Sequence, residues 1–253
     1  MVAQCHLSFY LYLPVPRQSG SPLVQGVAAG KTSGTAMSIP APRGIIFDFD
    51  GVIVDTEWVI YQSWVRLFAR EGQEISIQTY SPCLGAGYSR WNPAEYLEQL
   101  TGKSFDWERE TAERQAWLEA ELARSGLMPG VRELMDFCQA RGIAMTVASS
   151  SSRRWVAGWL QRLGIEQEFK GVFCRTDGYP VKPDPALFLA AQNCLGLPAR
   201  ECLIIEDSEN GVRSASNAGI PCAAIPNRMT ALGDFSQATY RFDKLSELLG
   251  NLR

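Results

Sequence analysis

Two acids set two positions apart, Asp48 and Asp50, open the chemistry of this chain. They lie in Ile45-Ile46-Phe47-Asp48-Phe49-Asp50-Gly51-Val52-Ile53-Val54-Asp55-Thr56-Glu57. The apolar run before them, Gly44 to Phe47, predicts a short buried strand. In an extended chain residues i and i+2 point to one side. Asp48 and Asp50 are therefore expected to share a side at the carboxyl end of that strand. Carboxylates this close repel and lose solvation, so one keeps its proton or a cation sits between them. Gly51 lets the backbone turn sharply after the second acid. Alone, the pattern also suits a plain strand ending in a turn, where Asp and Gly are common.

Three later segments carry related chemistry. A strand predicted over 142–148 runs into Ser149-Ser150-Ser151-Ser152. Hydroxyls and free backbone N–H groups before a helix make an anion site, and serine there is equally a helix cap. In Val181-Lys182-Pro183-Asp184-Pro185 the prolines fix the backbone and give Lys182 a defined direction. That lysine can neutralise a phosphate or simply face solvent. A strand predicted over 201–205 ends in Glu206-Asp207-Ser208-Glu209-Asn210-Gly211. Its two acids stand where the rim of a site would be, and Asp207 or Ser208 is also a suitable helix cap. Taken together, acids, hydroxyls and a lysine at one sheet edge suit a hard cation with oxygen ligands beside a phosphate. With no histidine or cysteine pair to favour zinc, the cation is expected to be magnesium.

The elements that must position these groups are readable from apolar spacing. Trp58, Tyr61, Trp64, Val65 and Phe68 predict a helix over 57–70, capped by Asp55 or Thr56. Residues 73–92 read as irregular, and helices follow over 93–100 and about 106–124. From Met128 the pattern alternates. Helices are predicted over about 129–140, 152–163, 185–195 and 208–218, and one more begins near Lys244. Between them come strands over 142–148, 171–174, 201–205, 221–225 and 240–242. Such alternation predicts a doubly wound parallel α/β sheet covered on both faces, with ligands at the carboxyl ends of its strands. The first strand is cut off from the rest by helices alone. Residues 43–55 and 128–253 are thus expected to form the α/β core, and residues 56–127 an inserted all-helical cap.

Composition narrows the choices. The chain has 253 residues, 46% hydrophobic and 20% charged, with a net charge of −3. This mild acidity gives no reason to expect nucleic acid or an anionic membrane as a partner. Cys5, Cys83, Cys138, Cys174, Cys194, Cys202 and Cys222 form no Cys-x-x-Cys, and most lie in apolar runs. Reduced, buried thiols in a cytoplasmic protein are expected, not a disulfide framework or a zinc site. The single histidine, His6, lies in residues 1–42, a stretch read as a disordered extension. A core without histidine has no Ser-His-Asp triad and no Cys-His pair. In the extension, Pro14 and Pro16 break the apolar run Leu7 to Val15, which no lysine or arginine precedes; it is a poor signal peptide and too short to span a bilayer. Gly26-Val-Ala-Ala-Gly30-Lys31-Thr32 is one residue short of a P-loop, and no strand precedes it. Met37 is a candidate true start.

At this point the chain resembles the haloacid dehalogenase superfamily. Asp48-Phe-Asp50-Gly-Val-Ile-Val-Asp55-Thr-Glu is similar to its first motif, Val147-Ala-Ser149 to the second, Lys182-Pro-Asp-Pro to the third and Ile205-Glu206-Asp207-Ser-Glu-Asn-Gly211 to the fourth. The likeness covers residues 43–250 in order. The helical insert is similar to the cap of the β-phosphoglucomutase and sugar-phosphatase branch. The resemblance implies Asp48 as nucleophile forming an aspartyl-phosphate, and Asp50 as acid and then base. It implies Mg²⁺ held by Asp48, the carbonyl of Asp50, Glu206 and Asp207. Ser149, Ser150 and Lys182 would hold the phosphoryl group. The cap would close over the substrate.

The expected activity is hydrolysis of a small phosphorylated metabolite, a sugar phosphate, by a monomer or weak dimer. A phosphosugar mutase, a metal-free haloacid dehalogenase and an inactive binding module are the rivals. A phosphonatase would need a Schiff-base lysine from the cap, where Lys103 is the only lysine. The mutases carry a histidine in the first cap helix; aligned from Asp50-Gly51, that position is Ile60. Specificity is assigned to the loop Gly85-Ala-Gly87-Tyr88-Ser89-Arg90-Trp91, with Arg90 as the candidate substrate contact, although an exposed arginine on a surface loop reads equally well.

Overall fold

The computed structural model describes residues 39–84, 88 and 91–253. The expected contact Arg90, the candidate start Met37, His6 and the P-loop-like segment lie outside the described residues. Six strands form one parallel sheet: β1 (Gly44–Phe47), β2 (Ala144–Ser149), β3 (Gly171–Cys174), β4 (Cys202–Glu206), β5 (Cys222–Ala224) and β6 (Tyr240–Arg241), in the order β3-β2-β1-β4-β5-β6. β1 stands in the middle with all four residues buried, which is why it reads as a continuous apolar run.

Side chains alternate between two clusters, one per face. Ile45 and Phe47 join Met145, Val147, Leu203 and Ile205 on one face, while Ile46 joins Ala148 and Ile204 on the other. The first face is covered by α5 (Val131–Arg141), α6 (Arg153–Arg162) and α9 (Leu245–Asn251). α7 (Ala186–Leu195) and α8 (Glu209–Ala218) cover the second. The fold is the doubly wound parallel sheet that the alternation predicts.

Between β1 and α5 the described residues contain helices and no named strand: α1 (Thr56–Arg70), α2 (Ile77–Tyr80), α3 (Pro93–Thr101) and α4 (Trp107–Leu122). Tyr61, Trp64, Phe68, Tyr80 and Leu97 build an aromatic cluster of their own there. One core residue reaches into it: Met229, from the loop after β5, is 1% exposed. Residues 73–92, expected to be irregular, contain α2, whose Ser76 side chain accepts from the Thr79 N–H at 3.0 Å. Ile39 to Pro42, expected in the extension, lie against the core. Ile39 is buried, donates its N–H to the Asn251 carbonyl at 2.9 Å and accepts from Arg253 N–H at 3.2 Å.

Candidate active site

β1 and β4 are neighbours and stop together. Phe47 pairs with Ile205, and Asp48 N–H donates to the Ile205 carbonyl at 2.9 Å. The next side chains on both strands are acids. Asp48, Glu206 and Asp207 are all buried, and each offers a carboxylate oxygen within 4.8 Å of the others. The ammonium of Lys182, itself buried, forms ion pairs with Asp48 Oδ1 and with Glu206 Oε1, the latter at 2.8 Å. The structure thus brings four sequence-predicted residues from three segments into one cluster.

Three carboxylates against one ammonium leave excess negative charge. Burial pushes the Asp48 carboxyl up to about 8, with Lys182 pulling it down and Glu206 and Asp50 pushing it further up. Burial, reinforced by Glu206 and Asp48, raises Asp207 well above the usual carboxylate range. Burial works against the Lys182 ammonium, but the charges of Asp48 and Glu206 outweigh it and raise its pKa. A buried, oxygen-only donor set whose acids resist ionisation fits a hard divalent cation.

Backbone contacts fix this cluster. Glu206 Oε2 accepts from the N–H of Asp207 and of Ser208, both at 2.8 Å, and from Ser208 Oγ at 3.0 Å. A Cβ on Gly211 would overlap the Glu206 carboxylate, so only glycine lets α8 start this close. Gly51 is strained for any other residue by its φ of +87°, and its Cβ would press on Asp207. Asn227 Nδ2 donates to Asp207 Oδ2 at 2.8 Å and to the Gly51 carbonyl at 3.3 Å, and Thr230 Oγ1 reaches Asp207 Oδ2 at 3.4 Å.

Asp50 faces a different set. Its Oδ1 accepts from Thr56 Oγ1 at 2.6 Å and Trp155 Nε1 at 2.9 Å. Its Oδ2 accepts from Ser151 Oγ at 2.5 Å and, at a long 3.4 Å, from Ser149 Oγ. Ser149 is buried and also accepts from Ser151 N–H at 3.0 Å. Ser150 turns elsewhere: its hydroxyl accepts from the backbone N–H of Lys182 at 3.2 Å, tying β2 to the lysine's loop. Lys103 is 60% exposed and paired with Glu71 at 2.9 Å.

Sequence reasoning did not single out Asn227, Thr230 or Trp155 as site residues, named Ser151 only within the serine run read as an anion site, and took Thr56 only as a helix cap. Asn227 lies just past β5, as Ser149 ends β2, so its place at a strand's carboxyl end was the available signal. Trp155 gives no such signal, because its reach to Asp50 depends on how α6 leaves β2.

The haloacid dehalogenase-like hydrolase family model matches residues 45–225. CbbY of Rhodobacter capsulatus is 30% identical over 213 residues, covering 81% of this chain and 94% of CbbY. The phosphorylated carbohydrates phosphatase of Thermotoga maritima is 28% identical over 180 residues, covering 70% of this chain and 82% of that protein. Among solved structures, CbbY of Rhodobacter sphaeroides in complex with xylulose-(1,5)bisphosphate superposes with a TM-score of 0.63 at 22% identity, covering 82% of this chain and 96% of that one. With its four motifs gathered at the ends of β1, β2 and β4 and before α7, the chain belongs to the haloacid dehalogenase-like hydrolases.

Proposed function

We propose that this hydrolase is a Mg²⁺-dependent phosphatase of a small phosphorylated metabolite, a sugar phosphate, working through an aspartyl-phosphate on Asp48. The observation that carries this reading is the buried cluster of Asp48, Lys182, Glu206 and Asp207. The names of the Thermotoga phosphatase and of the sugar bisphosphate bound to the Rhodobacter neighbour support the substrate class.

Asp48 would attack phosphorus with the carboxylate oxygen not engaged by Lys182. The Lys182 ammonium offsets charge on the transferring group, and Ser149 donates its hydroxyl to it. Asp50 protonates the departing ester oxygen and then takes a proton from the water that opens the acyl-phosphate. Asp48, Glu206, Asp207 and the Asp50 carbonyl would hold Mg²⁺, which supplies positive charge against the crowded acids and the phosphoryl oxygens. The helices α1 to α4 act as a cap that excludes bulk water, with the loop that carries Arg90 as the substrate contact.

Water is the proposed acceptor in place of a second sugar. Ile60, at the position of the mutase histidine, packs with the core cluster and has no group to bond a sugar hydroxyl or Asp50. The test is to incubate the enzyme with β-glucose 1-phosphate, a trace of the bisphosphate and magnesium. Inorganic phosphate is expected to accumulate, with glucose 6-phosphate slow or absent. A faster rise of glucose 6-phosphate would make the enzyme a mutase, and no metal-dependent turnover across a panel of sugar phosphates would remove the phosphatase reading.

A further inference from the structure

Four donors converge on the Asp50 carboxylate, and they are not alike. Thr56, Ser149 and Ser151 contribute hydroxyls, which rotate and can accept as well as donate. Trp155 contributes an indole N–H, a donor only, with a direction set by its ring. That ring is held firmly. Trp155 is the third residue of α6, and its backbone N–H donates to the Ser152 cap at 3.3 Å. It packs edge-on against Trp159, with ring centroids 5.8 Å apart and an interplanar angle of 80°.

The two carboxylate oxygens differ accordingly. Ser149 and Ser151, on Oδ2, stand in the segment expected to receive a phosphoryl group, and their hydroxyls can turn to it. Oδ1 keeps Thr56 at 2.6 Å and Trp155 at 2.9 Å. We propose that Trp155 is a positioning residue for Asp50, holding Oδ1 so that the carboxyl stays aimed at the ester oxygen that departs. The proposal rests on the acid–base role given to Asp50 above. It also places the restraint on α6, which packs on the sheet, so the aim of Asp50 does not depend on a cap histidine.

The test compares leaving groups in kcat/KM, which reports steps up to departure of the alcohol. p-Nitrophenyl phosphate releases an anion that needs no proton; glycerol phosphate releases an alkoxide that does. Trp155→Phe keeps a ring beside Trp159 and deletes the N–H. Its kcat/KM for glycerol phosphate is expected to fall about 10- to 100-fold, with p-nitrophenyl phosphate within about threefold. Both substrates are read on one preparation, so any unfolded fraction cancels in the ratio. Trp155→His, which offers a ring N–H again, is expected to restore part of it. Asp50→Asn is the reference. If Asp50→Asn fails to discriminate between the substrates, the acid–base reading of Asp50 falls and the Trp155 role with it. If Asp50→Asn discriminates while Trp155→Phe lowers both substrates alike, or neither, only the positioning role is overturned.

Discussion

Asp48 sits where burial, two further acids and one ammonium compete for its proton. Asp48→Asn removes the proposed nucleophile and keeps the side-chain shape. Turnover is expected to fall by at least about 10³-fold, with a melting temperature within a few degrees of the parent; residual activity above roughly one part in a hundred would rule out the aspartyl-phosphate route. The acids also predict a response that needs no substrate. Mg²⁺ is expected to raise the melting temperature by several degrees, because a cation bound only by the folded state stabilises it. Asp207→Asn should lose most of that rise, measured by thermal melts with and without chelator. These acids and Lys182 were legible in the sequence because each stands just past an apolar strand or between fixed prolines. The reach of Trp155 to Asp50 was not, since a hydrogen bond across about a hundred positions of sequence leaves no local pattern.

Among the elements, the contact between α1 and α4 carries its own titration. Burial pushes the Glu110 carboxyl up, but hydrogen bonds from Arg70 and Arg109 outweigh it and hold it below its ordinary value. A folded-state pKa below the unfolded one adds stability above the ordinary carboxylate range, and that stability is lost as pH falls through the folded value. Melts between about pH 3 and 6 are expected to be less steep in pH for Glu110→Gln than for the parent. At neutral pH the variant should be less stable by about 1–2 kcal/mol, given that Arg70 is partly solvated. Equal pH slopes would show that the pair contributes nothing. Helices with several turns were readable from their apolar stripe. α2 was missed because four residues do not complete enough turns to show a period. β2 begins at Ala144 and not Gly142, because Gly142 closes α5 at a φ of +64° and Ile143 N–H still bonds back to Cys138 at 2.9 Å.

For the whole molecule, the segment before the sheet is the boundary to test. Ile39 is 3% exposed and shares backbone hydrogen bonds with Asn251 and Arg253. A chain beginning at Met37 is expected to melt with the parent, whereas one beginning at Arg43 should lose roughly 1–3 kcal/mol from the buried isoleucine and its two bonds. If removal of residues 1–36 itself lowers the melting temperature markedly, that stretch packs on the core.

The place of β1 has a further consequence, in the order of synthesis. The ribosome makes this strand first among the six, yet Gly44 pairs with Ala144 on one side and Cys202 on the other. At about 5–20 residues per second, its first neighbour emerges some 5–20 seconds later and its second about 8–30 seconds later. Through that interval Ile45, Ile46 and Phe47 have no sheet to enter, while the helices from α1 to α4 can already gather around their own aromatic cluster. A nascent chain halted after α7 would have β2 available to pair with β1 but not β4, leaving one edge of β1 bare and Asp48 without Glu206 or Asp207. The cluster of Asp48, Lys182, Glu206 and Asp207 can therefore assemble only when most of the chain has left the tunnel, and the interval before it is the time in which this strand is open to a chaperone or to a second copy of itself.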